Sequence, residues 1–518
     1  MKRTIVKSIS ALLFALLMIS CETVPAAQKE SLKQETNETS AAESKPEETK
    51  PAQKPKPNVA AQKPAAKKPQ LAKADTQKKP QKTAPEKSNP ELDFSKQLYR
   101  LLQKDKIDEA LALFETDNKV AHSENMQNLK LSLLISKQDF SNAKSLANEL
   151  EKKYPNNTQT LLAQSILASA ENNRAKKNQY LKKIISIEPK NTAARLLLAE
   201  DAFFGKAYTS AEKNYLMVLA IDKNNEEALV GLSNVYYMTG DFEKAENNLN
   251  AVLKRNNKNA AAYASLARVQ FEQNKVLPAL ENIDKALKIE KGVATYYMDK
   301  GRYCTRANRK KEAVAAYTQA MKLEPDNYVA YVYRAGLNDD LKNDDAAIAD
   351  YQKVVELYPQ YYFASEGLGV LYFEREDYAR AKYNFLSALE QKPDNCYYAL
   401  MATLCFYEQG DAAGGKKFMA QYLPHIDRKN NDDEYFLSRL FVDHIAENDV
   451  VMRISKVADI TKQYRMKFYL AKFYELVRQS KLAEKLYTEI SECYYPAFFE
   501  YRFVELELAK RGIVPKVK

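Results

Sequence analysis

The side chains that most often carry catalysis are few in this chain, and they form no recognisable catalytic set. The 518 residues include 3 histidines, His122, His425 and His444, which lie far apart. No HExxH, GxSxG, Walker or GxGxxG motif occurs. The acid pair Asp339-Asp340 is typical of a helix end rather than of paired glycosidase carboxylates. We therefore expect no catalytic centre, no metal site and no cofactor, and we predict that the protein is not an enzyme.

One cysteine near the N-terminus has a predicted covalent chemistry. Basic residues precede an apolar run from Ile9 to Ile19, which is too short to span a bilayer core of ~30 Å and indicates an export signal. The run ends at Ser20-Cys21, which resembles a bacterial lipobox with methionine in place of the usual leucine. That resemblance implies cleavage before Cys21 and acylation of its sulfur with palmitate-type chains. The alternative is an ordinary signal peptide cut after Ala26, because a small-residue cleavage pattern also ends there.

Residues 22–90 differ in composition from the rest of the chain. They contain no aromatic residue and no glycine, and they are rich in Lys, Pro, Ala, Gln and Glu. Such a segment cannot bury enough apolar surface to fold, so we predict a disordered linker. It holds 14 lysines against 9 acidic residues, and residues 1–21 add 3 basic residues, which leaves +3 of the net charge of +11 for residues 91–518. A nucleic-acid partner is therefore not expected, although the linker could touch anionic lipid or cell wall.

The strongest pattern in the chain is an alanine that recurs at multiples of 34 residues. It occupies Ala143, Ala211, Ala245, Ala279, Ala313, Ala347, Ala381 and Ala483. Five prolines each follow a position of this 34-residue register by 12 residues: Pro155, Pro189, Pro325, Pro359 and Pro393. The register position before Pro189 is Lys177, and the other four are alanines. Proline ends a helix because it lacks the N–H donor and clashes with the preceding turn. A fixed period of this length predicts an array of about twelve helical repeats.

Two segments carry the fullest version of the pattern. The first consists of Gly301, Ala313, Tyr317, Ala320 and Pro325, and the second has the same spacing at Gly369, Ala381, Phe385, Ala388 and Pro393. These residues resemble the tetratricopeptide repeat. The resemblance covers residues 91–518 and implies an all-α fold, an α-α superhelix (solenoid) of about twelve 34-residue helix-turn-helix repeats. In that family the small residues let two helices approach and the ring fills the gap beside them. Between two apolar runs, Gly240 favours a left-handed helix end and Asp241 an N-cap.

The pattern weakens toward the C-terminus and at one earlier unit. Lys177 and Gly415 replace the alanine in two units. A helix pair at Asp433–Glu447 and Val450–Ile460 is recognisable mainly by register. The final stretch, Ala497–Arg511, predicts a capping helix that shields the last repeat.

The resemblance also indicates a partner-binding surface. In the tetratricopeptide family the first helix of each repeat lines a concave groove that binds extended peptides or helices. One position near the end of the first helix, which we call the aromatic row, is occupied in seven consecutive units by Phe203, Tyr237, Phe271, Thr305, Asp339, Phe373 and Tyr407. Neighbouring positions carry Glu200, Asn234, Arg268 and Arg302. The row could hold a partner through aromatic anchors with a polar rim, or it could pack one repeat against the next.

Two classes of function fit these observations. The first is a non-catalytic protein–protein interaction scaffold, exported and lipid-anchored at Cys21 to a membrane of the bacterial cell envelope, facing the periplasm or the surface. The second is a ligand- or cell-wall-binding accessory module of a transporter or wall enzyme. A fold of this kind cannot by itself choose between them.

Overall fold

The structure, a computed structural model, describes residues 90–116, 119–444, 447–492 and 498–514, and all regular elements in these ranges are helical. The described residues divide into two compact units, one that ends at Ala228 and one that begins at Leu229. The earlier helices are α1 Pro90–Gln103, α2 Ile107–Ala112, α3 Glu124–Ser136, α4 Phe140–Lys153, α5 Thr158–Ala170, α6 Arg174–Ile187, α7 Thr192–Phe204, α8 Tyr208–Ile221 and α9 Glu226–Thr239.

The remaining helices continue the same alternation. They are α10 Phe242–Arg255, α11 Ala260–Glu272, α12 Val276–Ile289, α13 Ala294–Arg306, α14 Lys310–Leu323, α15 Tyr328–Asp340, α16 Asp344–Leu357, α17 Tyr362–Glu374, α18 Tyr378–Gln391, α19 Cys396–Glu408, α20 Ala412–Tyr422, α21 Asp432–Asp443, α22 Glu447–Lys456, α23 Ile460–Leu476, α24 Ser480–Ser491 and α25 Tyr501–Lys510. Short 3-10 turns follow α2 and α20, at Leu113–Glu115 and Leu423–His425.

Consecutive helices pack as pairs, as in tetratricopeptide solenoids. Helices α11 and α12 form one pair, and α13 with α14, α15 with α16 and α17 with α18 form the next three. The second helix of each of these pairs also contacts the first helix of the following pair. This confirms the predicted all-α class built from repeated helix pairs.

The recurring alanines lie where the two helices of a pair touch. All eight, from Ala143 to Ala483, are completely buried. A methyl group placed on Gly301 would lie 2.6 Å from Cζ of Tyr317, and one on Gly369 would lie 2.9 Å from Cε1 of Phe385. Both separations are shorter than real methyl contacts allow. The rings therefore fill the space that the small residues leave, as the resemblance implied.

The turn inside each pair repeats one backbone conformation. A residue with positive φ, between 56 and 83°, occurs every 34 residues at Gln138, Asn172, Lys206, Gly240, Asn274, Asn308, Lys342, Glu376, Gly410, His444 and Arg478. Gly240 ends α9 as predicted, and the Asp241 carboxylate accepts a hydrogen bond from the Lys244 amide at 3.3 Å. Most of these turn residues are not glycine, so each of those turns adopts a conformation that costs roughly 1–2 kcal/mol for an L-residue.

The structure shows what happens at the positions that depart from the repeat pattern. Lys177 Nζ lies 3.2 Å from Asp201 Oδ1, so the lysine that replaces alanine is paired. The pair predicted near Asp449 exists as α21 and α22, and its helices begin and end within a few residues of the expected bounds. At the C-terminus, α25 packs on α24, and it also reaches α15 and α17 through contacts given below.

No helix in the described ranges is long and apolar enough to cross a membrane. The predicted leader, Cys21 and nearly all of the predicted linker lie outside those ranges.

The buried alanines generate a stability prediction. Ala381 on α18 is fully buried, whereas Ala379 on the same helix is exposed. We expect Ala381→Leu to overpack the α17–α18 pair and lower the free energy of unfolding by ~1–3 kcal/mol. Ala379→Leu, the same change two residues away, should leave it nearly unchanged. Chemical denaturation of both variants measures the difference, and equal effects would contradict a close helix contact at Ala381.

Candidate functional site

The aromatic row lies near the C-terminal ends of the first helices. Phe203 is on α7, in the first unit, where its ring centroid lies 5.9 Å from that of Tyr208 and 5.7 Å from that of Phe204. Phe204 is 70% exposed. Phe203 is therefore half-buried within its own helix pair, next to an exposed ring.

The second compact unit begins at Leu229, within α9. There α9, α11 and α13 bring several predicted groove residues together. The Arg302 guanidinium lies 4.9 Å from the centre of the Phe271 ring. Phe271 also stacks on Tyr303 with ring centroids 4.5 Å apart. The Tyr237 hydroxyl donates a hydrogen bond to Glu272 Oε1 at 3.2 Å. Phe271 thus contacts the next repeat, which is the packing role that the sequence left open for the row.

A carboxylate lies between the two arginines of this region. Asp299 Oδ1 is 3.3 Å from Arg302 Nη2, and its Oδ2 is 4.0 Å from Arg268 Nε. Burial raises the pKa of Asp299, although both arginines act to lower it. Arg268 Nη2 also donates to Ser265 Oγ at 3.1 Å. We call Tyr237, Arg268, Phe271, Asp299 and Arg302 the arginine–aromatic cluster.

The side chains of the arginine–aromatic cluster are held in place by contacts with one another, but both arginines remain partly exposed to solvent. The side chains of Arg268 and Arg302 are 39% and 40% exposed, and Thr305, the next member of the aromatic row, is exposed. Arg302, held over the Phe271 ring and paired with the largely buried Asp299, loses little conformational freedom on binding. Such a surface can bind carboxylate or aromatic groups of a peptide through charge-assisted hydrogen bonds and stacking.

Two of the last three members of the row, Asp339 and Phe373, are contacted by α25. Phe373 is only 7% exposed, and its ring centroid lies 4.7 Å from that of Phe503. Asp339 accepts hydrogen bonds from Arg502. The Tyr407 hydroxyl donates to the Phe441 carbonyl at 3.0 Å. The structure therefore brings Tyr237, Phe271 and the arginines together and places Phe373 beneath the C-terminal helix.

Sequence reasoning missed the partners of Asp339 and Phe373. Arg502 lies 163 residues from Asp339 and 128 from Glu374, and no local spacing can indicate a contact over such a distance. One signal was present, because Asp339 is an acid in a mostly aromatic row. An acidic side chain that is partly buried at that position is stabilised by a basic partner.

Three cysteines and one histidine of the described residues have environments that can be stated. Cys304, Cys396 and Cys405 are free and buried, and burial raises the pKa of the Cys304 thiol, so a reactive thiolate is disfavoured. His444 occupies a turn position with φ of 57°. Within the described residues, no group of three or more His, Cys, Asp or Glu side chains could hold a metal ion.

Comparisons with known proteins concern the repeats. Residues 204–269 and 298–362 match family models of the tetratricopeptide repeat. No curated protein matches the chain significantly. PilF of Pseudomonas aeruginosa is similar in structure at 17% identity and a TM-score of 0.36, over 39% of this chain and 92% of that one.

Two further solved structures are similar. A tetratricopeptide repeat protein from Parabacteroides merdae has 18% identity and a TM-score of 0.35, over 48% of this chain and 98% of that one. YrrB, a tetratricopeptide-repeat protein with an unusual peptide-binding site, has 18% identity and a TM-score of 0.32, over 37% of this chain and 97% of that one. The two family-model matches and the 34-residue register of helix pairs together show that this chain contains tetratricopeptide repeats.

Proposed function

We propose that this protein is a non-catalytic protein–protein interaction scaffold of the bacterial cell envelope, held on a membrane by a lipid on Cys21. Its repeats bind a protein partner, as an extended peptide or a helix, on the face formed by the first helices. The observation that carries the proposal is the arginine–aromatic cluster, in which three consecutive first helices together present two partly exposed guanidinium groups and two rings.

The chemistry of the cluster indicates the kind of partner. Arginine and tyrosine are enriched among the residues that dominate binding energy at protein interfaces. Arg268 and Arg302 share one largely buried carboxylate, Asp299, so the five cluster residues carry one net positive charge, and Glu272 borders them at Tyr237. An acidic or aromatic segment of a partner fits this surface better than a basic segment does.

The anchoring part of the proposal rests on the leader. A basic start, a short apolar run and Ser20-Cys21 together favour export followed by acylation of the cysteine. The proline- and lysine-rich linker that follows would separate the repeats from the membrane surface. Lipid attachment and linker length together would let the repeats reach partners at some distance from the bilayer.

Truncation of two partly exposed cluster residues tests the binding site. We expect Tyr237→Ala and Arg268→Ala each to weaken capture of the partner from detergent-solubilised envelope by ~1–3 kcal/mol, as truncated interface anchors do. Their melting temperatures should stay near that of the wild type because both side chains are partly exposed. Tyr383, which is 73% exposed on the second helix α18, provides the matched control, and Tyr383→Ala should bind normally.

The opposite pattern would assign the cluster to packing alone. In that case truncation would open cavities and cost ~3–5 kcal/mol of stability. Capture by the remaining folded protein would be unchanged. Affinity and melting temperature measured on the same three variants separate the two roles.

A second prediction concerns the sulfur of Cys21. Acyl chains contribute ~0.8 kcal/mol per buried methylene, so the mature wild-type protein should partition into detergent and membranes. Cys21→Ser should remain unacylated and leave the detergent phase, whereas Cys493→Ser should behave as the wild type. A mature protein that begins at Ala27 and carries no lipid would contradict the anchor.

A further inference from the structure

The C-terminal helix α25 lies across first helices of its own unit. It contacts side chains of α15, α17 and α23, and the most distant of these in sequence, Asp339 on α15, lies 163 residues before Arg502. A helix that merely capped the last repeat would contact only α23 and α24. The position of α25 is therefore that of an occupant of the first-helix face.

Arg502 forms the most specific of these contacts. Its Nη1 donates to both carboxylate oxygens of Asp339, at 2.9 and 2.7 Å. Its Nε donates to Glu374 Oε1 at 2.9 Å. The three side chains are between 14% and 23% exposed, so the guanidinium is held by two carboxylates in a largely water-excluded place. Charge-assisted contacts of this geometry are strong and direction-dependent.

Phe503, the residue after Arg502, provides the apolar contact between α25 and the first helices. Phe503 is 2% exposed, and its ring contacts Phe373, which Tyr378 contacts from another side at 5.2 Å. Val504 and Leu508 on the same helix are completely buried. One face of α25 is therefore apolar, and the adjoining arginine gives it a fixed direction and register.

Contacts at both ends of α25 complete the recognition. Glu500, just before the helix, accepts hydrogen bonds from Arg465 Nε at 2.7 Å and from the Tyr469 hydroxyl at 2.6 Å. Near the other end, Lys510 Nζ lies 3.1 Å from Glu376 Oε1. The order Glu, Arg, Phe and, later, Lys thus meets groups of opposite charge or an aromatic ring at each place.

The helix itself is too short to persist alone. It has 10 residues, and isolated helices of fewer than ~12–15 residues are marginal in water. Its helical form therefore depends on the surface beneath it, as in segments that fold when they bind.

We propose that Asp339, Glu374 and Phe373 form a helix-binding site for an arginine followed by an aromatic residue, and that α25 is its resident helix. A partner helix with the same pair of residues binds there by displacing α25. This site is distinct from the arginine–aromatic cluster, whose charge favours an acidic segment. One face of first helices thus carries two sites of opposite preference.

The test separates α25 from the chain without changing the surface. A protease site is inserted into segment 493–497 of the full-length protein, which is cleaved after folding, and a fluorescent synthetic peptide of residues 498–518 is then added. We expect saturable binding to the cleaved protein and much weaker binding to the uncleaved protein, in which the covalently attached α25 competes for the site. A peptide with Arg502→Gln should bind about 30-fold more weakly or worse, because it leaves two carboxylates unpaired.

Variants of the protein supply the matched controls. Asp339→Asn with Glu374→Gln should weaken the wild-type peptide to a similar degree. Asp340→Asn should not, because Asp340 neighbours Asp339 on α15 but pairs with Lys310 at 2.8 Å. The proposal is wrong if the cleaved protein binds no peptide, if the Arg502→Gln peptide binds as well as the wild type, or if the uncleaved protein binds equally. Capture of the envelope partner through Tyr237 and Arg268 is measured separately, so either proposal can fail alone.

Discussion

Everything else in this structure depends on the absence of side-chain bulk where the two helices of a repeat cross. Gly301 faces the ring of Tyr317 and Gly369 faces the ring of Phe385, at separations that leave no room for a methyl group. Because buried small residues recur at multiples of 34 residues, each first helix presents the same register positions on the same face of its pair. The aromatic row and the arginines beside it are consequences of that repetition.

The sequence predicted this contact because it is local and periodic. Ala381 and its counterparts lie at multiples of 34 residues, so a small side chain at a helix crossing produces a regular pattern in the sequence. The turn conformation produces a weaker pattern. Gly240 was recognised as a left-handed helix end, but Lys342 and Glu376 adopt the same backbone conformation. Their residue types do not indicate it, because tertiary packing of the flanking helices imposes the turn.

Contacts between distant parts of the chain could not be predicted from the sequence, for a different reason. Asp339 and Phe373 were grouped in one row by their register, but nothing in their spacing indicates that Arg502 and Phe503 lie against them. The C-terminal helix was expected, whereas its place across α15 and α17 depends on three-dimensional complementarity of charge and shape. The role of Phe271 was open between groove and packing, and the structure shows a ring that stacks on Tyr303 while it supports the exposed Arg302.

The fold therefore provides a framework, and the side chains on its first helices determine what it can bind. The central claim is that the first-helix face at the arginine–aromatic cluster contacts a protein partner in the cell. A photo-crosslinking amino acid at Thr305, exposed beside the cluster, tests this directly, with Lys288 on the second helix α12 as the comparison site, since it is also exposed. The account predicts a discrete protein adduct from position 305 and none from position 288. No adduct from either position, or the same adduct from both, would contradict it.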